Sequence, residues 1–145
     1  MNNKTTEQLQ HEIKESCDIQ DFLASNRRSL LHDSFPEYLN KLLSEKGLHK
    51  KDIIRASQLD RVYVYQIFAG RKFPSRNKLL ALAFGMQLSA EETQKLLKIS
   101  GNRELYARDP RDAVVLFALQ REMSIADANE LLYRNAFKLL GDSQR

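Results

Sequence analysis

Residues 48–74 read LHKKDIIRASQLDRVYVYQIFAGRKFP, and this stretch decides the predicted fold. A first short helix is expected over residues 50–56, before a tight three-residue turn. Asp60 follows the turn and is a suitable N-cap for a second helix over residues 61–69, because its carboxylate can accept free backbone N–H groups of the first turn. Gly70 then supplies the left-handed residue that commonly ends a helix. The stretch therefore predicts two short helices followed by a basic loop.

Two helices joined in this way form the helix-turn-helix plan, in which the second helix enters the major groove of DNA. At about 100° per residue, Val64, Ile67 and Phe68 share one face of the second helix. The opposite face carries Val62, Tyr65, Gln66 and Ala69. Arg61 is at the N-terminal tip, which is the end that usually meets base edges. The pattern indicates a helix with one buried face and one face available to DNA.

The positive charge of the chain is concentrated around this stretch. The formal net charge is +4, and residues 35–100 hold twelve Lys or Arg against six Asp or Glu. Residues 1–34 have a net charge of −2, and residues 101–145 are neutral. A localised positive field of this kind favours a polyanionic partner, and double-stranded DNA is the expected one.

Composition argues against several other classes of protein. No run approaches the ~18 apolar residues of a membrane span, so we expect no membrane partner. The first ten residues lack a signal-peptide pattern, and a lone Cys17 fits a reducing compartment, so a cytoplasmic location is expected. The three histidines are scattered, and no Gly-rich phosphate loop is present. We therefore expect no metal, no cofactor and no enzymatic activity.

Capping signals divide residues 34–100 into five predicted helices. Ser34 and Pro36 mark one helix start, and Ser75 marks another. Ser89 and Glu92 form a capping box for the last of the five helices. A period-2 strand pattern is absent except for residues 62–65, where the cap and the exit glycine favour helix. The predicted fold class is all-α.

Residues 1–33 are predicted to be a helical N-terminal extension, and residues 101–145 a C-terminal helical hairpin. Asp109 followed by proline is a strong start for the first hairpin helix. Its run AVVLFAL, residues 113–119, reads as apolar all round, which predicts burial on more than one side. A last helix is expected from Ser124 through Leu139, ending at Gly141. Completion of the core and dimerisation both remain open for this hairpin, which is also a possible docking site for a partner protein.

Residues 35–100 resemble the lambda-repressor-like helix-turn-helix domain of the Xre family of transcription regulators. The motifs that carry the resemblance are Gly47-Leu48, Asp52-Ile53-Ile54, Leu59-Asp60, Tyr63-Val64-Tyr65-Gln66-Ile67, Gly70-Arg71-Lys72, Pro74-Ser75 and Ala83-Phe84-Gly85. The resemblance implies a five-helix DNA-binding domain, bacterial or phage-type, that usually binds palindromic operators as a homodimer. The family usually has glycine at the position of Gln58 and glutamine at that of Lys50.

Carried over by position, the resemblance places Arg61, Val62 and Gln66 against bases. Gln66 could read adenine, Arg61 guanine, and Val62 a thymine methyl. The expected contacts to the DNA backbone come from Lys50, Tyr63, Tyr65, Arg71 and Lys72. We add Arg76 to the predicted phosphate contacts.

The alternative function is that of a protein-interaction adaptor that uses the same fold. Tyr63, Tyr65 and Phe68 would then form its binding face, since tyrosine and other aromatic side chains are enriched at protein interfaces. This alternative requires the three rings to be exposed as one continuous patch.

Overall fold

A computed structural model describes residues 4–26 and 35–141, and these residues form helices without any strand. The all-α prediction is therefore confirmed for this part of the chain. The predicted Ser34 cap lies outside the described residues. None of the described helices is both long and apolar enough to cross a bilayer. The helices are α1 (Thr6–Glu15), α2 (Ile19–Ser25), α3 (Phe35–Glu45), α4 (Lys50–Ser57), α5 (Arg61–Phe68), α6 (Arg76–Gly85), α7 (Ala90–Ile99), α8 (Pro110–Gln120) and α9 (Ile125–Arg134).

Side-chain caps begin these helices where the sequence predicts them. Asp60 accepts a hydrogen bond from the backbone N–H of Tyr63 at 3.1 Å. Ser89 and Glu92 form the complete reciprocal capping box at the start of α7. Side chains also cap α6, α8 and α9, through Ser75, Asp109 and Ser124. These caps satisfy backbone donors that have no partner within their own helix.

Helix α6 lies at the centre of the core. Every residue from Leu79 to Gly85 is buried, so this helix is covered on all sides. It packs against α4, α7 and α9. The crossing with α4 is especially close, because a Cβ atom built on Gly85 would lie 2.6 Å from Ser57 Cβ and 2.9 Å from the Ile53 carbonyl oxygen.

The C-terminal hairpin shares this core. Val115, Leu119 and Leu132 are buried in the same apolar cluster as Leu39 and Leu80. An ion pair also joins the hairpin to α6, since Arg76 contacts the buried carboxylate of Asp112 at 3.0 Å. The hairpin therefore contributes to the core that surrounds α6, which is the packing role left open above.

Helix α8 is covered over much of its surface, since Val114 and Leu116 are also partly buried against the core, but it is not buried all round. Val115, Ala118 and Leu119 are buried, whereas Phe117 is 43% exposed. The Phe117 ring is covered in part by Arg121, whose guanidinium carbon lies 3.7 Å from the ring centroid. Helix α8 thus has one buried stripe and one side towards solvent.

The last helix is shorter than predicted. Helix α9 ends at Arg134, and Ala136 adopts a left-handed backbone with φ 63°. The N–H of Phe137 then donates back to the Leu132 carbonyl at 2.8 Å, which closes the helix end. Leu140 is fully buried, and its backbone pairs in both directions with the Asn129 side chain. The chain therefore turns at Ala136 and returns to the core before Gly141.

Of the predicted N-terminal extension, residues 1–33, the structure describes residues 4–26, which contain helices α1 and α2. Phe22 is buried, and the Asn26 side chain donates to the Glu12 carboxylate at 2.8 Å. Ile13, Ile19 and Leu23 are exposed. None of the described residues of α1 and α2 belongs to the cluster that surrounds α6.

The Asp109 cap gives the fold a testable pH dependence. Hydrogen bonds from the backbone N–H of Asp112, and then of Arg111, hold the pKa of the Asp109 carboxyl below its usual value of 3.8. A carboxyl with a lower pKa in the folded chain stabilises it above about pH 4, and this contribution is lost as the pH falls through the folded pKa.

Asp109→Asn removes the titrating group and keeps a side chain that can cap α8. We expect this variant to lose less thermal stability than the parent chain between about pH 5 and pH 3. Thermal unfolding followed by circular dichroism measures the difference. Parallel pH profiles for the two proteins would contradict the expectation.

Candidate nucleic-acid interface

Helices α4 and α5 are joined by a short turn in which two residues fix the chain path. Gln58 is in the left-handed region with φ 61°, a conformation in which glycine is the usual residue. Leu59 follows with only 4% of its surface exposed. The turn thus combines a sharp change of direction with an apolar anchor, and Asp60 begins α5 immediately afterwards.

The two faces of α5 are those that the sequence predicts. Val64, Ile67 and Phe68 are buried, with exposed fractions of at most 4%. Val62 and Tyr65 are exposed, whereas Gln66 is only partly exposed. Of the residues expected to meet bases, Arg61 and Val62 are thus on the open surface and Gln66 is at its margin.

The loop after α5 folds back over the end of that helix. The backbone N–H groups of Arg71 and Lys72 both donate to the Gln66 carbonyl, at 2.9 and 3.3 Å. Asn40 of α3 donates its side-chain amide to the Phe68 carbonyl at 2.9 Å. Sequence reasoning missed Asn40, because only the fold brings it to the end of α5. These bonds hold the exposed Arg71 and Lys72 side chains beside α5.

Three cations gather around two aromatic rings of α5. Lys50 Nζ lies 5.4 Å from the centroid of the Tyr65 ring, and the Arg61 guanidinium carbon lies 5.7 Å from it. Lys78 Nζ lies 4.5 Å from the centroid of the Tyr63 ring. These distances fall within the ~6 Å range of cation–π contacts. Lys78 was not among the predicted residues, since its proximity to Tyr63 depends on how α6 packs.

Five Lys and Arg side chains of α4, α5 and the loop after α5 have no carboxylate partner among the described residues. Within the described residues, Lys50, Lys51, Arg61, Arg71 and Lys72 have no carboxylate oxygen within 4.0 Å. We refer to these five residues as the basic surface. Lys50 is partly exposed and the other four are exposed. Accessible cations without partners attract an anion more strongly than cations already paired with acids.

Arg76 does not belong to the basic surface. Its guanidinium donates to both Asp112 carboxylate oxygens, at 3.2 and 3.0 Å, and to the carbonyls of Arg103 and Glu104. Only 18% of its side chain is exposed. Because its donors are committed to α8 and the preceding loop, Arg76 is unsuited to the phosphate contact that we expected of it.

The aromatic face of the alternative function is not continuous. Phe68 is buried at 4% exposure, and Tyr63 is only partly exposed and packs against the core. Tyr65 alone of the three rings is exposed, at 42%. The patch required for an adaptor surface of Tyr63, Tyr65 and Phe68 is therefore not formed.

Other chemistry has little support in the described ranges. No group of three or more His, Cys, Asp or Glu side chains there is arranged to hold a metal ion. Cys17 is an exposed free cysteine. The basic surface is thus the strongest candidate for a functional site among residues 4–26 and 35–141.

Comparison of the chain with family models, with curated proteins and with solved structures gives no match.

Proposed function

We propose that this chain is a sequence-specific DNA-binding transcription regulator that places α5 in the major groove. The proposal includes the lambda-repressor-like arrangement of the Xre family and binding to double-stranded DNA as a homodimer. Its main support is the basic surface, in which five described cations of α4, α5 and the loop after α5 have no carboxylate oxygen within 4.0 Å. Arg61, Val62 and Gln66 would contact bases, while Lys50, Tyr63, Tyr65, Arg71 and Lys72 would contact the backbone.

The salt dependence of binding gives the first test of this proposal. Neutralisation of about three phosphates per monomer, by Lys50, Arg71 and Lys72, predicts a slope of log K against log salt near about −2.7 per monomer. Fluorescence anisotropy with a labelled duplex of about three helical turns measures this slope. A slope near zero would contradict an interface built on phosphate contacts.

Two substitutions separate base contacts from phosphate contacts. Gln66→Ala should reduce the preference for the best sequence over random DNA by about 1–3 kcal/mol, because it removes a side chain that can pair with a base edge. Lys72→Ala should weaken binding to all sequences alike and make the salt slope smaller by about one unit. Anisotropy titrations against both duplexes measure the two effects.

Lys98→Ala is the matched control, because Lys98 is exposed on α7 and is not part of the basic surface. It should leave the affinity for both duplexes close to that of the parent chain. Equal losses on specific and random DNA for both Gln66→Ala and Lys72→Ala would contradict the assigned roles.

The alternative, a protein-interaction adaptor, has one observation in its favour. Val62 is an apolar side chain that is 61% exposed beside the half-exposed ring of Tyr65. Such a pair suits a small protein contact as well as a groove contact with thymine methyls. A salt slope near zero, combined with a partner whose binding is lost in Val62→Asp, would favour the adaptor.

A further inference from the structure

The ring of Tyr65 lies within ~6 Å of two cations, each of which is at the first position of a helix. Lys50 is the first residue of α4, and Arg61 is the first residue of α5. The positive end of a helix macrodipole opposes a cation at that position. Asp60, the N-cap beside Arg61, and Asp52, in the first turn of α4, offset part of this unfavourable interaction.

Tyr65 is the group that both cations share. Its ring centroid lies 5.4 Å from Lys50 Nζ and 5.7 Å from the Arg61 guanidinium carbon. The buried ring of Phe68 contacts Lys50 as well, with its centroid 5.6 Å from Nζ. Lys50 thus contacts two aromatic rings, whereas Arg61 contacts only the ring of Tyr65 among the described residues. A ring face attracts a cation without neutralising its charge.

We infer that Tyr65 is a positioning residue, whose ring holds Lys50 and Arg61 ready for DNA in the absence of any ligand. This inference rests on the proposed function and deepens it. By position, the resemblance places Tyr65 against the DNA backbone. The inference adds a separate role for the ring, which acts through its two cationic neighbours.

Preorganisation of this kind contributes to affinity because long cationic side chains lose less freedom on binding if they are already held. It also links the two kinds of contact, since Lys50 faces the backbone and Arg61 faces the bases. Ordering a free, rotamer-rich side chain on binding costs about 0.5–1.5 kcal/mol, so release of both side chains corresponds to at least about 5-fold weaker binding.

The test compares Tyr65→Phe, which keeps the ring, with Tyr65→Leu, which removes it. Tyr133→Leu is the matched control, because Tyr133 is 76% exposed on α9 and no described cation contacts its ring. The probe is a random-sequence duplex of about three helical turns at low salt, measured by anisotropy. We expect Tyr133→Leu to bind as the parent chain does, Tyr65→Leu to bind at least about 5-fold more weakly, and Tyr65→Phe to retain most of the affinity that Tyr65→Leu loses.

A second readout needs no DNA. Protons of the Lys50 and Arg61 side chains near a ring face should show upfield ring-current shifts in the free protein, retained in Tyr65→Phe and absent in Tyr65→Leu. Equal weakening in Tyr65→Phe and Tyr65→Leu would overturn the inference in favour of the hydroxyl. Absence of ring-current shifts in the parent chain would overturn it as well. Normal shifts in a parent chain that binds no duplex would instead overturn the proposed function.

Discussion

Replacement of Asp112 by alanine should lower the free energy of unfolding by about 3–5 kcal/mol, because it leaves the partly buried Arg76 guanidinium without its anionic partner. The Asp112 side chain is only 2% exposed. It accepts hydrogen bonds from the Arg76 guanidinium and from the backbone N–H of Tyr106 at 3.0 Å. This one carboxylate thus joins α6, the loop before α8, and α8 itself. Urea unfolding followed by circular dichroism measures the change.

The exposed ion pair between Glu130 and Arg134 serves as the control for the buried pair between Arg76 and Asp112. Glu130→Ala removes an acid from the exposed pair with Arg134 and should cost less than about 1 kcal/mol. Combined replacement of Arg76 and Asp112 by apolar residues should cost less than Asp112→Ala alone, because no buried charge then lacks a partner. A loss in Asp112→Ala no larger than that in Glu130→Ala would show that the buried pair does not hold the hairpin in place.

Gly85→Ala should destabilise the chain by about 2 kcal/mol, although the same change in an ordinary helix interior stabilises by up to about 1 kcal/mol. The added Cβ would meet Ser57 Cβ at 2.6 Å and the Ile53 carbonyl oxygen at 2.9 Å. One of these contacts is to backbone, so α4 and α6 must move apart. The same urea experiment measures the loss.

The double variant Gly85→Ala with Ser57→Gly provides the control. Removal of Ser57 Cβ relieves the closest contact, so the double variant should be more stable than the sum of the two single changes predicts. Additive losses would contradict a steric cause. Because α4 carries Lys50, we also expect Gly85→Ala to weaken DNA binding through a shifted α4.

Local signals account for the parts of the fold that the sequence predicts correctly. Asp60, Ser89 and Ser124 cap helices through side chains that reach only two or three residues along the chain. The buried face of α5 follows from its helical period alone. Neither property depends on how distant segments pack, so both could be read from a short window of sequence.

The misassigned residues depend on distant partners. Arg76 lies in a basic stretch and looks like a phosphate contact, yet its partner Asp112 is 36 residues away. Phe68 is a different case, because its helical period already places it on the buried face of α5 and so excludes it from an aromatic binding face. The end of α9 is set by Ala136, whose left-handed backbone is costly for a residue with a Cβ atom and so has no sequence signal. Tertiary packing, through the buried Leu140, holds this turn in place.

Selection of bound DNA from a random pool, at low salt and again near about 0.15 M, tests the central claim most directly. The proposed function predicts that a palindromic motif survives the higher salt, with half-sites about one helical turn apart. Gln66→Ala should then lose preference at one position of each half-site, while Lys98→Ala should select the parent motif. Binding that disappears with salt and leaves no motif would contradict sequence-specific regulation and reduce the basic surface to a non-specific polyanion contact.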